Sequence, residues 1–131
     1  MKNIAIRENH LYKKVYTGGK KAYGRYTVIY VLKDLKAYKL KKANPLKKSV
    51  NRIGLTVTKK IGGAVVRNRV KRIIRAAFAE TEKEYPLKKG FLIVISAREA
   101  ATNASSVEIR AEMRGQFEKL GMYIPSEPEV L

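Results

Sequence analysis

The sequence predicts an α+β two-layer sandwich, a single domain over residues 1–131 with elements in the order α-β-β-(β)-α-β-α. Three observations lead there. Residues 64–84 set apolar side chains at helical spacing and stop just before Pro86. Residues 25–32, 51–58 and 91–97 are β-branched, aromatic and aliphatic runs of strand length. Ser105 and Glu108 stand at capping-box spacing ahead of a further amphipathic stretch.

Taken in order, Asn9 is placed to cap a short helix that carries Leu11, Tyr12, Val15 and Tyr16 and stops at Gly18-Gly19. Arg25 to Leu32 is the first strand. Residues 33–48 hold Lys33, Lys36, Lys39, Lys41, Lys42, Lys47 and Lys48 with the turn signal Asn44-Pro45, and predict a long exposed loop with an irregular turn near Ala37. Residues 51–58 alternate as the next strand, and the long helix follows from Ala64 to Glu84, its Glu80, Glu82 and Glu84 forming a solvated face. Phe91 to Ala97 is a continuous apolar run of the kind a central buried strand carries. The last helix turns Ile109, Met113, Phe117 and Leu120 inward and stops at Gly121, leaving a short, loose acidic tail from about residue 125.

Charge narrows the function. Residues 1–75 hold 22 Lys and Arg against Glu8 and Asp34, a balance of +20, while residues 76–131 hold seven against nine acids, a balance of −2; together they give the net +18. A surface of one sign concentrates a polyanion, so nucleic acid is the expected partner. No strongly amphipathic terminal helix favours a membrane. No window approaches the roughly 20 apolar residues that span a bilayer, and no signal-like segment opens the chain, so a cytoplasmic protein is expected. With no cysteine, disulfides and Cys-based metal sites are excluded.

The excess charge has a helical address. With Arg67 at 0°, Asn68, Lys71, Arg72 and Arg75 fall between about 40° and 140°, and Val66, Val70, Ile73, Ile74 and Ala77 between about 240° and 340°. One side is a stripe to pack on a sheet, the other a cationic row to lie along phosphates. Arg67, Asn68, Arg69, Lys71, Arg72 and Arg75 occur within nine residues with no acid between them, so their repulsion calls for a counter-polyanion. Arg forks bind phosphate bidentately and Lys acts as a point charge. Lys59, Lys60 and Gly62-Gly63 precede the helix. In one reading the glycines only turn the chain; in the other they open backbone N–H groups to phosphate.

Tyr12 and Tyr16 lie one helical turn apart and, with Tyr30, offer rings on which single-stranded bases could stack at about 1–3 kcal/mol each; core packing is the competing role. His10 is the single histidine, and the acids of the basic part are isolated. No residue set therefore suits cleavage of RNA by acid–base or two-metal chemistry.

Lys59-Lys60-Ile61-Gly62, Ala64-Val65-Val66-Arg67-Asn68-Arg69, Lys71-Arg72 and Arg75 resemble the Arg-Asn-Arg motif of the bacterial ribonuclease P protein subunit, and the order of segments fits over most of the chain. The resemblance implies a mixed sheet with a left-handed crossover around the basic helix, where pattern alone favours the right-handed form. It implies a subunit of an endoribonuclease that removes the 5′ leader of pre-tRNA, with catalysis and Mg²⁺ held in the RNA partner and one protein serving one RNA. The basic helix would contact that RNA and approach the pre-tRNA, and Tyr12, Tyr16 and Tyr30 would line a cleft for the leader, closed by Tyr123. The family often has Phe where Tyr12 and Tyr16 stand, and its counterpart of the 33–48 segment is shorter and less basic. A structural rRNA-binding ribosomal protein is the principal alternative, followed by a DNA-compacting protein and a protein-only nuclease.

Overall fold

The computed structural model describes residues 3–36, 39, 43 and 50–125. Five strands, β1 (Ile4–Ala5), β2 (Lys20–Tyr23), β3 (Thr27–Lys33), β4 (Arg52–Thr56) and β5 (Phe91–Ala97), form one sheet in the order β1-β4-β5-β3-β2. The helices are α1 (Asn9–Gly18), α2 (Ala64–Glu84) and α3 (Ser106–Lys119), with a 3-10 turn at Glu99–Asn103. β4 runs parallel to β5 and is joined to it by α2, while β3 pairs antiparallel with β5 from Thr27–Ala97 to Lys33–Phe91. The sheet is mixed, and the basic helix is its crossover.

Strand periodicity decides which helix each face receives. Ile29, Val31, Ile93 and Ile95 point to the layer of α2 and α3 and bury against Val70, Ile74, Ala77, Phe78, Ile109, Met113 and Phe117. Full burial of a side chain of this kind is worth about 1.5–3 kcal/mol. The alternate residues Leu92 and Val94 turn the other way, to Ile6 and to Leu11 and Val15 of α1. α1 thus adds partial cover to the second face, and leaves Tyr12, Tyr16, Tyr30 and Leu32 half-buried there.

Local chemistry fixes the helix ends. Ser105 Oγ accepts from the Glu108 N–H at 3.2 Å and the Glu108 carboxylate accepts from the Ser105 N–H at 3.2 Å, completing the predicted capping box. At the far end of α3, Gly121 takes φ +67° and Met122 N–H reaches back to the Phe117 carbonyl at 3.0 Å, the closing bond of a Schellman turn. The first helix differs from expectation: Asn9 is its first helical residue, Glu8 is the extended flanking residue, and no side chain caps it.

Three further features depart from the sequence reading. β2 takes the optional strand of the expected order, to which the sequence reading gave no residues; only Ala22 in it is buried, so its lysines mask a strand held by pairing to β3. β1 is only two residues long, below any periodicity signal. In the segment expected to be a loop, Leu35, Lys36, Lys39 and Ala43 have helical backbone. Asp34 supplies the missing start signal, its Oδ1 accepting from the Lys36 N–H at 3.2 Å, and Leu, Lys and Ala are good helix formers. The turn placed near Ala37, Asn44-Pro45 and the tail beyond Pro125 lie outside the described residues.

Candidate nucleic-acid interface

α2 is oriented by its apolar stripe. Val70, Ile74 and Ala77 are essentially inaccessible, and burying them leaves Asn68, Arg72 and Arg75 exposed with Lys71 and Arg67 half-buried. Arg67 Nε is closed off from solvent with no hydrogen-bond partner among the described residues. Arg69 departs from the row: its guanidinium is bound by the Thr102 carbonyl in the 3-10 turn, on another flank of the helix. Lys59 and Lys60 are exposed in a tight turn, with the Gly62 N–H bonded to the Lys59 carbonyl at 3.2 Å. Gly62 adopts φ +153° and Gly63 caps α2 with no side-chain acceptor. The glycines therefore do make the turn, and they also leave the first-turn N–H groups without a capping side chain.

The tyrosines settle on the α1 face. Tyr12 lies against β4, where a Cβ on Gly54 would stand 2.6 Å from the ring. Tyr16 and Tyr30 meet edge to face with centroids 4.8 Å apart, a pairing worth about 0.5–1.5 kcal/mol beyond burial. The Tyr16 hydroxyl lies 2.7 Å from Thr56 Oγ1 and 3.3 Å from Ser96 Oγ. Burial is the main influence raising the phenol pKa values of Tyr12 and Tyr30, with Tyr16 close by adding to each. Tyr12 and Tyr30 therefore stay neutral near pH 7.

Tyr123 is not brought to this group. Its ring packs on Tyr85 at 5.5 Å and Phe117 at 6.4 Å, and its hydroxyl donates to the Arg114 carbonyl at 2.9 Å. It belongs to the layer of α2 and α3, on the other side of the sheet from Tyr16 and Tyr30. The turn at Gly121 sends the chain back across Leu87, and that reversal carries the ring away.

Tyr12 joins the two constellations. Because β1 pairs with β4 only as far as Ile53, the edge of β4 beyond that residue lies open toward α2. A cleft of about 430 Å³ occupies this gap, lined by Tyr12, Ile53 and Leu55 on one side and by Lys71, Arg75 and Phe78 on the other. Aromatic and cationic groups thus line one recess. Sequence reasoning missed Gly54, Thr56 and Ser96; strand alternation of β4 and β5 was the available signal for placing them beneath the tyrosines.

Most of the described carboxylates are engaged structurally. Asp34 and Glu8 hold Arg52, Glu80 faces Arg110, Glu84 faces Arg114, and Glu82 accepts from Asn3 and faces Lys89. Glu112 accepts backbone N–H groups of the β2–β3 turn. His10 is exposed near Glu8 and Asp34, at the start of α1. Among the described residues no three His, Asp or Glu side chains gather to hold a metal, and no helix is long and apolar enough to cross a membrane.

Comparison with known proteins agrees with this arrangement. A ribonuclease P family model matches residues 1–121. A ribonuclease P protein component of Clostridium acetobutylicum is 36% identical over 130 residues, covering 99% of both chains. One from Bacillus velezensis is 38% identical over 122 residues, covering 93% of both. The fold matches the Staphylococcus aureus RNase P protein with a TM-score of 0.72 at 23% identity, over 94% of this chain and 100% of that one. It matches the Thermotoga maritima RNase P protein with a TM-score of 0.62 at 22% identity, over 92% and 96%. With the family model matching residues 1–121 and relatives more than 30% identical over nearly the whole chain, the protein belongs to the ribonuclease P protein family.

Proposed function

We propose that this subunit works by holding RNA in place while the ribonuclease P RNA cuts. The α2 cations offset phosphate repulsion between that RNA and pre-tRNA, and the tyrosine cleft grips the single-stranded 5′ leader that is removed to give the mature tRNA end. The observation that carries this reading is the recess shared by Tyr12, Lys71 and Arg75: a ring to stack on a base stands opposite cations to meet its phosphates. Arg67 supports it, because an enclosed, unpartnered N–H is costly and a phosphate bound at the terminal nitrogens of the same guanidinium would offset that cost. Lys59, Lys60, Asn68 and Arg72 extend the contact, and Arg69 contributes charge from its flank.

The described acids support a non-catalytic protein, since those named above are occupied with cations or backbone N–H groups. Mg²⁺ is therefore assigned to the RNA partner, with one protein per RNA and the cytoplasm as the place of action. Reconstitution with a bacterial ribonuclease P RNA at low Mg²⁺ tests the reading. The protein should stimulate correct 5′ cleavage of pre-tRNA and cleave nothing alone. Failure to stimulate, or co-sedimentation with ribosomes alone, overturns it. Tyr12→Ala with Tyr16→Ala should weaken leader-bearing pre-tRNA while sparing mature tRNA; equal loss for both would return these rings to the core.

A further inference from the structure

The Tyr16, Thr56 and Ser96 hydroxyls form a polar island on the α1 face of the sheet, beside the otherwise aromatic and aliphatic group of Tyr12, Tyr30, Leu92 and Val94. Thr56 and Ser96 are register partners on the adjacent parallel strands β4 and β5, and Tyr16 descends onto both from α1. All three residues are half-buried, so the island is reachable from solvent on the α1 face. Each hydroxyl has one proton to donate and lone pairs to accept. Three protons serve two internal bonds, at 2.7 and 3.3 Å, so one donor and several lone pairs remain for a ligand.

We propose that this island is a ribose subsite that takes one leader 2′-hydroxyl and makes the cleft selective for RNA. The inference rests on the leader-binding reading above and adds to it the group recognised. A base edge presents a fixed pattern of donors and acceptors, which a rigid amide or guanidinium matches. Rotatable hydroxyls present no fixed pattern, whereas a 2′-hydroxyl both donates and accepts and so complements them. Every leader nucleotide carries that group, so the contact is independent of sequence. Lys59 and Lys60 lie three and four residues beyond Thr56 along the chain, placing phosphate-binding charge next in line after the sugar.

The test is a scan of pre-tRNAs with single 2′-deoxy or 2′-fluoro substitutions through the leader, bound to reconstituted holoenzyme. One position should lose affinity by about three- to tenfold, equally for deoxy and for fluoro, which keeps the ribose pucker but cannot donate. That penalty should collapse in Thr56→Val and in Tyr16→Phe; the second variant is read where the first fails to fold, as judged by its melting curve. A flat scan, a penalty with deoxy alone, or a penalty unchanged in both variants overturns the subsite. A flat scan with leader preference still abolished by the Tyr12 and Tyr16 alanines would sink only the ribose contact, whereas loss of that preference effect would sink the leader reading itself.

Discussion

The ring of Tyr12 occupies the space that a side chain on Gly54 would need, 2.6 Å from where its Cβ would stand. The glycine is what allows an aromatic from α1 to approach β4 this closely. Gly54→Ala should therefore displace Tyr12 from the recess it shares with Lys71 and Arg75. Overpacking of this kind costs about 1–3 kcal/mol, and affinity for leader-bearing pre-tRNA should fall with it. In a Tyr12→Ala background the same substitution should cost much less, because contacting sites are not additive. A denaturant melt of both variants and the double variant checks this; full additivity would show that the ring is not held by the glycine.

Arg72 and Arg75 are exposed on the polar side of α2, and neither has an intramolecular ion pair among the described residues. Each phosphate contact contributes about 0.9 to the slope of log affinity against log salt on duplex nucleic acid, and about 0.7 on single strands. Arg72→Ala and Arg75→Ala should each weaken ribonuclease P RNA binding and flatten that slope by roughly one contact. Folding stability should hardly move, since surface substitutions of this kind usually stay within about 0.5 kcal/mol. A salt titration with an unchanged slope in both variants would remove α2 from the interface.

The parts of this molecule that were legible are those encoded within one turn or one strand. The stripe Val70, Ile74 and Ala77 and the box Ser105–Glu108 are local patterns, and both stand as read. The residues of β2 could not be located because pairing to β3 rather than burial holds it, and Lys20-Lys21 resembles a solvated turn. The hydroxyls under Tyr16 come from residues 40 and 80 positions away; strand alternation gives the face each occupies but not which helix residue they meet. The side of the sheet on which Tyr123 falls was decided by the reversal at Gly121, and the helix-stop signal told where α3 ends without telling where the chain goes next.

Arg52 binds Asp34 through Nε at 2.6 Å and Nη2 at 2.8 Å, and Asp34 is only 4% exposed. The hydrogen bond to Asp34 is the leading cause of the raised Arg52 pKa, opposed by burial. This pair ties the end of β3 to the start of β4, beneath the N-terminus of α1. Breaking a buried, doubly hydrogen-bonded ion pair by removing one partner costs about 3–5 kcal/mol. Arg52→Ala should show a loss of that order in a urea melt at pH 7, and adding Asp34→Asn should recover part of it. An Arg52→Ala melt within 1 kcal/mol of the parent, on the same scale of buried-pair costs, would show that the pair is not a structural tie.

Burial pushes the Tyr123 phenol up to about 12, against the opposing pull of Arg114. A tyrosine whose folded pKa lies above its unfolded value of about 10 is favoured neutral in the native state. Its contribution is fully present below pH 10 and is lost as the pH rises toward 12. Stability should accordingly fall across that alkaline window, and Tyr123→Phe should flatten the fall while losing the bond to the Arg114 carbonyl, worth about 0.5–1.5 kcal/mol at neutral pH. Because the ring packs on Tyr85 and Phe117 across the sheet from Tyr16, discrimination between leader-bearing and mature tRNA should survive the substitution. Ultraviolet titration of tyrosinate in the parent and the variant checks the first part and paired binding curves the second; selective loss of leader affinity would return Tyr123 to the cleft.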